Sequence, residues 1–243
     1  LTFIAVDPLV SEVSAGVERI EMAVDGGQWQ KYTQALKFTE GRHTIKYRAI
    51  DKVGNMEAER VLEVRSDSTP PVTAPHIGAP YYMSGAGINY ITPETPLTFN
   101  ANDPVASDVA SGVERIETAV DGGAYALYTS ALKFPEGRHT IKYRAWDNVG
   151  NLEAERTLEV QSDATAPESR WLAATGPWTE KDNKFYLNAL GSIAFESADP
   201  VRNNVASGLE NIYYGIVAAP AVKYTAAFSL TEGVRAVNYS AKD

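Results

Sequence analysis

The chain contains no cysteine. That alone excludes a disulfide scaffold, a thiolate zinc site and a cysteine nucleophile. Histidine is scarce. His43 and His139 are equivalent and His76 stands apart, with no serine elbow beside any of them, so no catalytic triad is assembled. Basic charge is short: 22 Lys and Arg face 31 Asp and Glu, a net charge of -9. The basic footprint that nucleic acid needs is missing, and an anionic membrane surface would repel the chain. No apolar run reaches the roughly eighteen residues that span a bilayer. Helical periodicity is absent too. The 44% apolar content is nevertheless that of a folded protein, not a disordered one.

What is present is a repeat. Asp7-Pro8, Asp103-Pro104 and Asp199-Pro200 stand 96 residues apart, as do Gly16, Gly112 and Gly208, and then Tyr47, Tyr143 and Tyr239. Residues 1–71 and 97–167 agree at 50 of 71 positions without a gap, enough to assign them one fold. The third copy is more diverged. It keeps Ser207-Gly208, Tyr224, Phe228 and Glu232-Gly233, but Val217-Ala218-Ala219-Pro220 replaces the Val-Asp-Gly-Gly turn. A period of this length suits a small independent domain, not a solenoid turn. The units are 1–67, lacking its N-terminal strands; 72–163, complete; and 167–243, lacking its C-terminal strand. Because the units are out of phase with the chain ends, the stretch reads as a window on a longer array. Strands donated by a neighbouring copy are the sharper alternative. Pro-bearing linkers at Thr69-Pro70-Pro71 and Thr165-Ala166-Pro167 are short, so successive units are expected to hold restricted orientations.

Within the complete unit the signal is strand and turn. In the stretch Glu136–Asn151, entered by a Glu-Gly turn and left by the turn Asp147–Asn151, Ile141, Tyr143 and Ala145 alternate with Thr140, Lys142 and Arg144, one apolar face and one polar. Such a strand belongs in a half-buried antiparallel sheet. Leu97, Phe99 and Ala101 read as inward on the strand 97–101, and Ile116, Thr118 and Val120 on the strand 113–120. Asp121-Gly122-Gly123 marks a tight hairpin. Val72–Ile77 reads as an edge strand, Tyr125–Tyr128 and Ala131–Phe134 as short strands, and Leu152–Val160 as the closing one. About seven short strands at turn spacings of 8–12 residues predict an all-β fold of tandem immunoglobulin-like β-sandwich domains. Tyr143, with Tyr47 and Tyr239, is predicted as a tyrosine-corner residue, ring in the core and hydroxyl on backbone. Outward Arg115 and Glu117 facing Lys142 and Arg144 predict cross-strand ion pairs.

Three residue classes are candidates for chemistry. Recurrent loop carboxylates, Asp103, Asp108, Asp121, Asp147 and Asp163 with Asn102 and Asn151, offer the hard oxygen ligands that calcium takes. Asp103, Asp147 and Asn151 form the candidate calcium set, since Asp103 and Asp147 end neighbouring segments at one pole. The competing reading is that Asp and Asn in turns bond their own backbone. The histidines read as strand-start surface residues. Trp29, Tyr125 and Trp146 flank turns, and Trp171 and Trp178 read as packing at a joint; exposed aromatics would instead form a glycan platform.

Ser111-Gly112-Val113, Val120-Asp121-Gly122-Gly123, Tyr143-Arg144-Ala145-Trp146-Asp147-Asn148-Val149-Gly150-Asn151 and Asp163-Ala164-Thr165-Ala166-Pro167 together resemble bacterial immunoglobulin-like repeats, of the type named for a spirochaete outer-surface protein. The resemblance implies a secreted or surface-anchored multidomain protein: a stalk, adhesin, fibre or spacer module. It points to a non-enzymatic segment without cofactor, calcium aside. Its partners would be neighbouring copies or further domains of the chain, or a surface glycan or host receptor. Three units of roughly 40 Å would make a rod on the order of 120 Å.

Overall fold

The computed structural model describes residues 1–243 except Asn183, Val217, Ala218 and Val234. The described residues form strands and turns without helix. No ladder among them crosses the two linkers.

The first repeat is a four-stranded sheet, in the order β2-β1-β3-β4, of β1 (Val17–Val24), β2 (Gln30–Lys31), β3 (Gly41–Asp51) and β4 (Arg60–Ser66). The second repeat has eight strands: β5 (Val72–Ile77), β6 (Tyr81–Met83), β7 (Asn89–Ile91), β8 (Leu97–Asn102), β9 (Val113–Val120), β10 (Ala126–Leu127), β11 (Gly137–Asp147) and β12 (Arg156–Ser162). Six of them run β10-β9-β11-β12-β7-β6, and β5 pairs with β8 to make the facing layer. The alternation along β11 holds: Ile141, Tyr143 and Ala145 are buried, and Ile141 and Tyr143 pack with Leu97 and Phe99 of β8 and Val160 of β12. A large apolar side chain such as Ile141 stabilises by about 1.5–3 kcal/mol on burial. Register places Arg144 opposite Glu117, and Arg144 Nε donates to Glu117 Oε2 at 2.9 Å.

Three details differ from the strand pattern. The closing strand is Arg156–Ser162, not Leu152–Val160, and Leu152 makes only a bridge with Trp146. Ala131–Phe134 is not a strand. Leu132 makes a single bridge with Leu97, exchanging two backbone bonds of 2.9 Å, because this segment crosses from one layer to the other instead of running along an edge. And β12 pairs with β7 in parallel, which β-hairpin reasoning does not produce. The turn after β9 is as expected. Asp121 and Gly122 both take positive φ, 52° and 77°, the conformation of a two-residue hairpin turn.

The third repeat comprises β13 (Glu168–Thr175), β14 (Trp178–Lys181), β15 (Lys184–Leu187), β16 (Ser192–Ala198), β17 (Asn211–Ile216), β18 (Val222–Lys223) and β19 (Val237–Lys242). β18, β17 and β19 pair as their counterparts do, β13 pairs with β16, and β14 with β15. Of the replaced turn, Val217 and Ala218 lie outside the described residues.

One aromatic trio recurs in all three repeats. Phe3 meets Tyr47 and Tyr32 at ring centroids 4.6 and 5.5 Å; Phe99 meets Tyr143 and Tyr128 at 4.9 and 5.3 Å; Phe195 meets Tyr239 and Tyr224 at 4.7 and 5.3 Å. Of the three repeated tyrosines only Tyr143 is a buried core ring, at 5% exposed; Tyr47 is half-buried and Tyr239 is exposed, so the predicted placement of the ring in the core holds in the second repeat alone. In the second repeat the hydroxyl that bonds backbone is Tyr128's, which accepts from Phe99 N–H at 3.3 Å.

Candidate cation site between repeats

The joint starts where β4 ends. Asp67 Oδ1 accepts the Thr69 N–H at 3.0 Å, a local turn that aims the chain into Pro70-Pro71. Its Oδ2 accepts the Ser111 N–H of the next repeat at 2.6 Å. Returning contacts come from a tip closed by the Ala106–Val109 bridge, where Ser107 and Asp108 take φ of 47° and 60°. The guanidinium of Arg42 donates to Asp108 O from Nε and Nη2, both at 3.4 Å. Asn151 Nδ2 donates to Asp67 O at 3.1 Å. The second joint repeats this 96 residues on. Asp163 accepts the N–H groups of Thr165 and Ser207 at 3.0 and 2.6 Å, and Arg138 Nε donates to Asn204 O at 3.3 Å.

Three carboxylates converge at each joint. Asp103 follows β8, and its Oδ2 accepts the Gly112 N–H at 2.6 Å. Gly112 sits at φ +87°, and a Cβ there would come 3.2 Å from Asn148 Nδ2. Asp147 ends β11. Its Oδ1 accepts the Val149 and Asn151 N–H groups, and its Oδ2 accepts Asn151 Nδ2 at 2.6 Å. Asp67, Asp103 and Asp147 each bring a carboxylate oxygen to within 4.8 Å of the other two. Asp163, Asp199 and Asp243 do the same at the second joint. Asp103 is 8% exposed, and its Oδ1 is sealed from solvent without a hydrogen-bond partner among the described residues. The Oδ1 of Asp199 and the hydroxyl of Ser111 are sealed in the same way.

The electrostatics follow. Burial pushes the Asp147 pKa up, but the backbone and side-chain amides of Asn151 and the Val149 N–H outweigh it and leave it below the usual value. At Asp199 burial prevails over the Gly208 N–H, and the charges of Asp163 and Asp243 add to it, so the pKa is raised. A cluster of this kind offers three or more hard oxygen donors and a local excess of negative charge.

Of the sequence candidates, Asp103 and Asp147 do come together. Asn151 reaches the cluster, but its amide N–H₂ group faces the acids, so it is a donor to Asp147 and not an oxygen ligand. Asp67, the counterpart of the recurrent loop carboxylate Asp163, was not in the candidate calcium set, because it belongs to the preceding repeat. The signal for it was the Asp-x-Thr-x-Pro linker, present at both joints. Asp108 gives the joint only its carbonyl, and Asp121 serves elsewhere. There, Asp121 Oδ2 contacts His139 Nδ1 at 2.8 Å while Pro135 O accepts from Nε2 at 2.9 Å; His43 repeats this with Asp25 and Thr39 O. The histidines begin their strands, but they are not open surface residues. The side chain of His43 is 13% exposed and its ring packs on Phe38 at 4.8 Å.

The aromatics divide. Arg48 covers the face of Trp29, Arg144 that of Tyr125 and Arg115 that of Trp146, at 4.2, 3.8 and 4.6 Å from the ring centroids. Trp171 and Trp178 are not joint packing. They cluster with Phe185 on the β14–β15 hairpin, Trp171 to Phe185 at 4.3 Å and Trp178 to Phe185 at 6.1 Å, because Trp178 and Phe185 project to one face of that hairpin.

No family model and no curated protein matches the chain. Among solved structures, the fibronectin(III)-like modules of CbhA from Clostridium thermocellum align with 66% of this chain and 82% of their own, at 19% identity and a TM-score of 0.33. At that score the likeness adds nothing to the fold read from the ladders.

Proposed function

We propose that the chain is a non-enzymatic structural segment of an extracellular or cell-surface multidomain protein. It would act as a stalk, fibre or filament of immunoglobulin-like units of the bacterial repeat type. The observation that carries this reading is the joint itself. The same Asp-to-backbone and Arg-to-carbonyl contacts recur after 96 residues, so each unit meets the next in the same way. A segment selected for reach needs that property. Two further facts support it. The Nε2 of His43 and of His139, the nitrogen a general base would offer, is committed to a backbone carbonyl. The covered faces of Trp29, Tyr125 and Trp146 are poor platforms for a ligand. Small-angle scattering tests the reading. A rod of about 120 Å has a radius of gyration near 35 Å, from its strand lengths. A value near 18 Å, that of a globule of this length, would overturn it.

A second reading has its own support. Trp178 and Phe185 are 52% and 46% exposed and share a face, which is the arrangement a glycan- or receptor-binding module presents. Tryptophan fluorescence on titration with a panel of oligosaccharides decides it. A saturable shift lost in Trp178→Ala supports binding. An unchanged spectrum across the panel rejects the glycan form of the reading.

A further inference from the structure

We propose that each joint binds a calcium ion, held by both repeats at once: by Asp67, Asp103 and Asp147 at the first joint and by Asp163, Asp199 and Asp243 at the second. The site rests on two separate observations. The first is the convergence of three carboxylates from three segments, one of them from the other repeat. The second is the carboxylate of Asp103, more than nine-tenths buried, whose Oδ1 has no donor among the described residues. A buried carboxylate oxygen without a donor is costly, and two anionic neighbours make it more so. The backbone amides do not answer the deficit. They reach Asp67, Asp147 and one oxygen of Asp103, and leave the other bare. A cation among the three acids would answer it directly.

The donor set selects the ion. All donors are oxygen, without the imidazole or thiolate that zinc favours. Magnesium keeps most of its water and takes one or two carboxylates in strict octahedral geometry, whereas calcium accepts several loop carboxylates in irregular shells. An ion bound at 2.3–2.6 Å also touches oxygens up to about 5 Å apart, which spans this cluster. Asp7 and Asp51 are the counterparts of Asp103 and Asp147 in the first repeat, where Asp7 Oδ2 accepts the Ser14 hydroxyl and the Gly16 N–H. Because Asp67 reaches the ion only when the joint is docked, calcium would stiffen the connection. The proposal rests on the joint geometry, and calcium uptake is read whether or not the array is a rod.

Calorimetric titration of the full 243-residue chain, stripped with a chelator, with calcium chloride tests it. Two ions per chain are expected. Asp103→Asn should lower this to one, Asp103→Asn with Asp199→Asn to none, and Asp7→Asn should leave two. Uptake of no calcium at millimolar concentration overturns the proposal, as does a double variant that still takes up two ions. Magnesium chloride binding as tightly as calcium overturns the choice of ion. Asp67→Asn lies in the linker, outside either core, and should also remove one ion; it serves if the Asp103 variant does not fold.

Discussion

Repeats one and two run nearly the same sequence through the same sheet, yet the same residue stands in different surroundings. Ile45 and Ile141 are both fully buried in the middle of β3 and β11. Two residues on, Tyr143 is 5% exposed, while Tyr47 is only half-buried. Glu153 is buried and accepts the Thr73 N–H, the Thr73 hydroxyl and the Ala145 N–H at 2.9, 2.5 and 3.1 Å, with Arg156 at 3.2 Å. Its counterpart Glu57 accepts the Ala49 N–H at 3.0 Å and pairs with Arg60 at 2.7 Å. The difference is the facing strand. In repeat two β5 seats Thr73 on Glu153; in repeat one, among the described residues, Leu1–Val6 face the sheet beside a groove of about 790 Å³ lined by Tyr47, Ile50, Glu57 and Arg60. Local sequence therefore sets the ladder, and the facing layer sets what the ladder's side chains contribute.

Truncating the tyrosines should separate the repeats most. Tyr143→Ala removes a buried ring and is expected to cost about 3–5 kcal/mol. Tyr47→Ala should cost roughly half of that, since part of its ring already meets water. Amide exchange resolved by repeat measures both, and equal losses would erase the distinction. Next come the glutamates. Glu153→Ala leaves the Thr73 and Ala145 donors unpaired in the core, at about 3 kcal/mol, whereas Glu57→Ala should cost about 1 kcal/mol. Grafting residues 72–96 ahead of Leu1 would supply repeat one with a facing layer in register. It should stabilise that repeat by about 2 kcal/mol and raise the cost of Glu57→Ala toward that of Glu153→Ala. An Ile45 amide that exchanges no more slowly in the graft would show that the layer is not what distinguishes the two.

Much of this was legible in the chain. The 96-residue period, the alternation of β9 and β11, the Asp-Gly hairpin and the pairing of Arg144 with Glu117 follow from period-two patterning and turn chemistry. The proximity of Asp103 and Asp147 was legible because both end strands at one pole. Asp67 was not, since its partner Ser111 lies 44 residues away in another unit and spacing says nothing of how two units dock. Glu153 was missed for a related reason. A glutamate after a turn reads as solvated, and only β5, 80 residues earlier, makes it a core acceptor. Trp171 and Trp178 were misplaced because proximity to a linker in sequence does not reveal that β14 folds back on β15.

The smallest effect tests what the repeats share. Both ring nitrogens of His43 face oxygen acceptors, Asp25 and Thr39 O, so both must carry hydrogen for both bonds to form. The Asp25 carboxylate, helped by Thr39 O, raises the His43 pKa above 6.5, and His43 with the Thr44 N–H lowers that of Asp25 below 3.8. The signs oppose. The histidine's contribution is complete below about 6.5 and is lost as pH climbs through the raised value. The aspartate's is complete above about 3.8 and is lost as pH falls through the lowered value. Repeat one should therefore be most stable in the mildly acidic window between them, and its unfolding midpoint should decline gently above neutrality. Asp25→Asn keeps the shape but removes the charge. In that variant the His43 ring should titrate closer to 6.5 by NMR and the decline should begin at lower pH. A His43 titration unmoved by the substitution would mean that Thr39 O alone sets it, and that the Asp–His contact contributes no pH dependence.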